Sequence, residues 1–446
     1  MSGILKMDRP LLDLDAMAAR MKTKGEIYRG IRDEALAEYN KRHPQPSRYD
    51  DRMQTAIRTF AYLCVWDDFH EEGLRRLSSH YLASSAVLGA KDPLLATYGN
   101  IIRGEMMWSK TEEDAMRINR DTDVFLATDY PAAFKLMACE FSVRNLANYR
   151  YSHNPDPRSP SLQSRSRFIG EWGKYYRGMI RKDLPHDLLF ELGNAMQHAA
   201  QSDEESVNLV AAEQDRAFME EAPDHVVRKV LNGNFYVVAA WTARGMGFSD
   251  TVSEKGWKEF GARLAKAESI LEPLYEQFPH ESAISRSMMT VELGQHKGRE
   301  RMELWFKRAV RADPGNFTNY SSKQWYLQPR WCGSVQEIID FGKECVETAD
   351  WDNKLPLILP IALDKASSAD ACKDPGIWKI LEMVFSEYLE RYPDSIGYRT
   401  LYAKLAHAAG KSDIAREQLK ILGEDWDFIV LPHSQYNPIA AELGLK

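Results

Sequence analysis

Trp257-Lys-Glu-Phe260-Gly-Ala-Arg-Leu264-Ala-Lys-Ala267-Glu-Ser-Ile-Leu271-Glu-Pro-Leu274-Tyr-Glu-Gln-Phe278 is the stretch on which the reading of this chain turns. Its apolar residues recur three or four apart with Lys and Glu between them, which lays a single apolar stripe along a helix. Just ahead, Thr251-Val-Ser-Glu254 has the form of a capping box, in which a hydroxyl and a carboxylate satisfy backbone N–H groups at a helix start. Ser202-Asp-Glu-Glu205 and Ser334-Val-Gln-Glu337 repeat that form. Convincing period-two runs are absent, and Phe235 to Trp241 reads as a buried helix. The fold class expected is all-α.

Toward the carboxyl end the helices show a period. Phe278-Pro279, Asp313-Pro314 and Tyr392-Pro393 each close a helix; the first two prolines are 35 residues apart and the last two 79. Tetratricopeptide repeats have a period of about 34 residues with a proline after the second helix. In the last unit Ala403 and Ala415 let two antiparallel helices approach, Gly410 supplies the turn, and Leu419 and Leu422 fill the interface. Phe306 and Ala309 take the matching second-helix positions before Pro314. The expected architecture is a helical-repeat (tetratricopeptide-like) α-solenoid preceded by an irregular helical region, because a lone helix pair cannot bury its apolar face.

Working outward, residues 1–150 read as an N-terminal helical region, with helices near 26–41, 51–64, 92–105 and 131–148. Residues 151–167, rich in Pro, Ser and basic side chains, read as a loop or boundary. Residues 168–250 read as connecting helices, 251–425 as the repeats and 426–446 as a tail packing on the last repeat. At 446 residues the chain is too long for one core. Its net charge of −7 does not advertise nucleic-acid binding over the whole surface. No apolar targeting segment opens the sequence, and no uncharged run approaches the roughly 18 residues that span a bilayer. The cytoplasm is the expected compartment. The five cysteines, Cys64, Cys139, Cys332, Cys345 and Cys372, are odd in number and form no Cys-x-x-Cys pair, so neither a disulfide frame nor a metal site is expected.

Catalytic signatures are missing. Ala409-Gly410-Lys411-Ser412 resembles the end of a phosphate-binding loop, but Leu405 stands where the first glycine belongs; a repeat turn with Ser412 as N-cap accounts for it. Gly245-Met-Gly247 lacks a third glycine. His70-Glu71 has Leu74 in place of a second histidine, and no Gly-x-Ser-x-Gly elbow occurs. No catalytic residue, metal or cofactor is assigned.

Two segments stand out. From Arg144 to Lys182 nine basic residues face two acids, Asp156 and Glu171, with Tyr149, Tyr151, Phe168, Trp172, Tyr175 and Tyr176 among them. Cations interleaved with stacking rings suit phosphates and bases, which makes Arg158, Arg165, Arg167, Lys174, Arg177 and Arg181 candidate nucleic-acid contacts. The alternative is a basic face that docks on the chain's own acids, its rings in the core. The second segment is Gln324-Trp-Tyr-Leu-Gln-Pro-Arg-Trp-Cys-Gly-Ser334, where a turn between helices is lengthened from Gln328 to Gly333. It is either a recognition loop or a plug filled by Trp331. Together with Arg244, its residues Trp325, Tyr326, Arg330 and Trp331 are the candidate partner-binding set.

Trp241-Thr-Ala-Arg-Gly245, Thr251-Val252, Trp257 and Phe260 resemble a segment of uncharacterised bacterial proteins that carry a domain of unknown function. So do Trp305-Phe306-x-x-Ala309-x-x-Ala312-Asp313-Pro314 and Tyr326-Leu327-x-Pro329-Arg330-Trp331-x-Gly333-Ser334. The resemblance covers roughly residues 212–350; Cys332 stands where it calls for glycine. It implies a bacterial, helical, repeat-like protein and supplies no activity. Tetratricopeptide proteins that bind chaperone tails grip a carboxylate with Lys, Asn and Arg. Ser287, Val291 and Thr400 depart from that clamp here, and only Lys404 is basic. The function expected is a protein-interaction scaffold binding another protein or a peptide, with nucleic-acid binding and an unrecognised enzyme as alternatives.

Overall fold

The computed structural model describes residues 14–45, scattered positions between 54 and 100, and residues 109–445 apart from 157, 246, 367–368, 394, 424–425 and 428–429. The helices expected near 51–64 and 92–105 lie largely outside the described residues, as does Cys64. The described residues are predominantly helical and contain no strand. They form two compact units, one between Asp15 and Lys297 and the other from Gly298 to Leu445. The division falls within residues 251–425.

The first unit contains α1 (Leu14–Arg42), α2 (Glu112–Leu126), α3 (Ala132–His153), α4 (Pro160–Arg181), α5 (His186–Ala200), α6 (Glu204–Glu221), α7 (Val226–Arg244), α8 (Glu254–Gln277) and α9 (Ser282–Gln295). Helices α3, α5, α7 and α9 neighbour one another in one row, and α2, α4 and α6 in a second, while α8 lies against α7 and α9. The stripe of α8 behaves as its spacing requires: Phe260, Leu264, Ala267, Leu271 and Leu274 are buried. Trp257, at the start of the stripe, remains 41% exposed. Phe235 to Trp241 lies inside α7, with Val237, Val238, Ala239 and Ala240 buried.

Close approach between α7 and α8 depends on a missing side chain. A Cβ on Gly233 would stand 2.5 Å from Leu271 Cδ2, so the leucine occupies the space that any larger residue would need.

Polar side chains set the register of the rows. Gln197 of α5 donates to Gln214 Oε1 at 2.7 Å and to the Leu231 carbonyl at 3.1 Å. Asn234 of α7 donates to Asn194 Oδ1 and Gln197 Oε1, both at 2.8 Å, and accepts from Ser287 Oγ at 2.9 Å. Four helices thus share one satisfied network, with Gln197 fully buried and Asn234 5% exposed.

The second unit contains α10 (Arg299–Ala312), α11 (Phe317–Tyr326), α12 (Val335–Glu347), α13 (Ile358–Lys365), α14 (Pro375–Arg391), α15 (Ile396–Ala408), α16 (Ser412–Leu422) and α17 (His433–Glu442). Helix α13 neighbours α11 and α15; α12 lies against α11 and α13, and α14 and α16 lie against α15. The residues after α16 join this core, where Leu431 and Leu443 pack with Leu419 and Leu422. Arg416 Nε also donates to the Leu443 carbonyl at 2.9 Å.

The helix starts differ from the sequence expectation in three places. Ser253, not Thr251, caps α8 by accepting from Gly256 N–H at 3.0 Å; Thr251 lies in a short 3-10 turn and donates to the Phe248 carbonyl. Asp203 rather than Ser202 caps α6, accepting the Ser206 N–H from the position directly before the first helical residue. Lys411 holds the cap position of α16 and Ser412 is its first helical residue, so Ser412 makes no cap. Ser334 does cap α12, accepting from Glu337 N–H at 3.3 Å. The Pro-rich linker is shorter than expected: α3 continues to His153 and α4 begins at Pro160, where a first-turn proline needs no N–H partner.

Replacing Asn234 with Leu leaves Ser287, Asn194 and Gln197 without their buried partner, and an unmade buried hydrogen bond costs about 1–3 kcal/mol. Urea unfolding of Asn234→Leu is expected to show a midpoint clearly below wild type with an unchanged slope. An unchanged midpoint would mean that the network does not hold the rows.

Candidate functional site

The segment 144–182 forms the end of α3 and all of α4, and its rings and cations part company. Phe168, Trp172 and Tyr176 point into the core, and Tyr176 Oη donates to the Leu189 carbonyl at 2.7 Å. The guanidiniums meet carboxylates of neighbouring helices. Arg165, only 6% exposed, pairs with Asp203 and reaches Glu205 at 2.8 Å, while Arg150 reaches Asp203 at 3.1 Å. Arg167 grips Asp123 through two bonds, Arg177 meets Glu213 at 3.0 Å and Glu220 at 3.4 Å, and Arg181 pairs with Glu221. Arg158 and Lys174 make looser pairs with Asp156 and Glu171, at 3.4 and 3.7 Å. The arrangement therefore matches a basic face closed on the chain's own acids.

The lengthened turn after α11 is stapled to its helix. Gln328 N–H donates to the Trp325 carbonyl, Trp331 N–H to the Gln328 carbonyl at 2.8 Å, and Cys332 N–H to the Tyr326 carbonyl at 3.2 Å. Gly333 passes so near the Leu327 carbonyl that a Cβ there would overlap it. On this frame Arg330 lies 4.1 Å above the Trp325 ring, and the Trp331 ring stands 6.5 Å from Trp325. Trp325 and Arg330 are exposed and Trp331 is half-buried. Tyr326 is not at the surface: it is 4% exposed, with Arg299 over its ring at 5.8 Å.

Arg244, at the end of α7, lies 5.6 Å from the Trp241 ring and 5.5 Å from the Trp257 ring. Its guanidinium also donates to the Gly245 and Gly247 carbonyls, each at 3.1 Å. Beside this stack Phe248 is 85% exposed.

A cluster that the sequence reading passed over lies among α10, α11 and α12. Lys323, 3% exposed, donates to Glu303 Oε2 at 2.8 Å, and its ammonium sits 4.5 Å from both the Phe306 and Phe341 rings. Burial holds this ammonium below its ordinary pKa against the pull of Glu303, and burial raises the carboxyl of Glu344 nearby. Arg299 bridges Glu303 at 2.9 Å and Glu337 at 2.8 Å. Lys323 carries no signal in a list of residues, because three helices must assemble before it is buried. Among the described residues no group of three or more His, Cys, Asp or Glu is placed to hold a metal ion.

Removing one partner of a buried pair leaves a stranded charge, which costs about 3–5 kcal/mol. Arg165→Ala is expected to lower stability in chemical denaturation, by less than that full cost because Arg150 still meets Asp203, and Arg158→Ala to leave it unchanged. In the second unit Glu303→Gln is expected to destabilise, and Lys323→Met in that background to recover most of the loss. Equal losses in the single and double variants would show that the two groups do not act as a pair.

The chain was compared with protein-family models, curated proteins and solved structures, and none of the three comparisons found a match.

Proposed function

We propose that this chain is a helical-repeat interaction scaffold that holds a protein partner through Trp325 and Arg330. The repeat reading is supported by the alternating rows, in which helices pack on their next-but-one neighbours. The prolines that follow α8, α10 and α14 and the left-handed Gly410 between α15 and α16 support it as well. Stacked helix pairs suit binding because a rigid array presents loops and faces at fixed positions.

The observation that carries the binding reading is the Trp325–Arg330 pair. An exposed indole and an exposed guanidinium stack at 4.1 Å on a turn tied down by three backbone hydrogen bonds. Trp and Arg are the residue types that most often anchor protein interfaces, and a pre-ordered pair loses little conformational freedom on binding. A partner offering an apolar side chain beside a carboxylate fits this pair. The stack of Trp241, Arg244 and Trp257 in the first unit is the same chemistry at a second corner.

The test is proximity capture in cells of the native organism, with a photo-crosslinking residue at position 329 and Trp325→Ala/Arg330→Glu as control. Loss of a hot-spot pair worth about 2 kcal/mol or more predicts at least ten-fold less captured partner, at unchanged melting temperature. The same capture profile in wild type and control would overturn the proposal.

A further inference from the structure

At one end of the first unit, the starts of α5, α7 and α9 are joined by a carboxylate and two imidazoles. His186, the first residue of α5, places Nδ1 2.6 Å from Glu281 Oε1, and Glu281 is the cap residue of α9. The His186 ring meets the His225 ring edge-on with centroids 4.7 Å apart. His225 is the cap residue of α7: its Nδ1 accepts the Val227 N–H at 3.2 Å. The Phe218 ring of α6 covers His225 on another side, at 5.4 Å.

The two imidazoles have opposite proton requirements. A nitrogen that accepts a backbone N–H must hold a lone pair, so His225 serves as a cap only as the neutral ring with its proton on Nε2. A proton on Nδ1 would set two N–H donors against each other and leave the first turn of α7 uncapped. His186 is favoured as the cation by its carboxylate partner, and a cation one ring away opposes a second.

We infer that His225 is an acid-released latch, in which protonation of its Nδ1 breaks the cap on α7 and frees the first turn of that helix from the α5–α9 corner. The charged groups acting on His225 are His186 on α5, Glu281 ahead of α9 and Asp183 in the turn before α5, and α6 sets the Phe218 ring against it. Asp187 additionally acts on His186. Burial, then the charge of His186, holds His225 below the ordinary value of 6.5, and the hydrogen bond to Glu281 holds His186 above it. The linkage signs follow. A histidine whose folded pKa is depressed contributes its full stability above about 6.5 and loses it as pH falls through the folded value. His186, with a raised folded pKa, contributes fully below about 6.5 and loses that contribution as pH rises through the folded value. The corner is therefore tightest near the ordinary histidine pKa and loosens on both sides, with release of the α7 cap confined to the acid side.

The test uses the full chain labelled with 15N in histidine, together with amide exchange at the start of α7. At neutral pH His225 is expected to show a protonated Nε2 and a bare Nδ1, and on acidification to titrate after His186. The protection of the Val227 amide, its exchange rate referred to the intrinsic rate at each pH, is expected to fall roughly five-fold as His225 titrates, the factor that loss of a typical cap implies. In His225→Asn, whose side chain caps without titrating, that acid response should vanish while the neutral-pH rate stays close to wild type. A proton on Nδ1 of His225 at neutral pH in the wild-type chain would overturn the inference without recourse to any variant. An undiminished acid response at Val227 in His225→Asn would also overturn it.

Discussion

The amphipathic helices α4, α8, α12 and α16 each bury one apolar face that water must not reach, and such a face is wider than a single neighbour covers. Burial returns roughly 25 cal/mol for each Å² of apolar surface removed from water, so a helix gains by touching two or three others. The rows α3–α5–α7–α9 and α11–α13–α15 are the outcome. Helices α3, α5, α7 and α11 each touch both the next helix in sequence and the next but one. Between sequential helices, small residues decide how near two helices come: Gly233 of α7 receives Leu271 of α8, and Ala403 and Ala415 are both buried where α15 meets α16.

Apolar burial alone is non-directional and does not select a register. Selection comes from groups that are costly to bury wrongly. The network of Gln197, Gln214, Asn234, Asn194 and Ser287 is satisfied in one arrangement of α5, α6, α7 and α9. Displacing any of these helices by a turn would strand several amides at once. The pairs Arg165–Asp203 and Arg286–Glu191 act in the same way across α4, α6, α5 and α9, and Lys323–Glu303 does so between α10 and α11. Ion pairs of this kind add little net stability against an apolar alternative, but a mispaired charge is penalised heavily, so they discriminate between packings.

The same economy explains why composition misleads around α4. Nine cations among aromatic residues have the make-up of a nucleic-acid surface, yet a helix separates its residues by angle. Phe168, Trp172 and Tyr176 fall on the face toward the core, while Arg167, Arg177 and Arg181 lean over its rim onto acids of α2 and α6. At the turn after α11 the distribution is reversed: the backbone is tied down, and Trp325 and Arg330 are left outward. Two segments rich in Arg and aromatics thus present different chemistry to solvent.

What the sequence determined by itself is local. The 3.6-residue spacing from Phe260 to Leu274 specifies a helix and the face it buries, and the prolines at 279, 314 and 393 specify where helices stop. These are properties of one segment and its covalent geometry. Caps were legible only to within a residue or two, because Ser202 and Asp203, or Thr251 and Ser253, offer equivalent oxygens and the choice depends on the path of the incoming chain. The tertiary structure alone decided which of these groups meet. Nothing near Lys323 in the chain marks it as buried between Phe306 and Phe341, and His186, His225 and Glu281 are separated by 39 and 56 residues before three helix starts bring them together. Contacts between distant segments depend on the packing of whole helices, and that packing is encoded in volumes and buried polar partners rather than in any short motif.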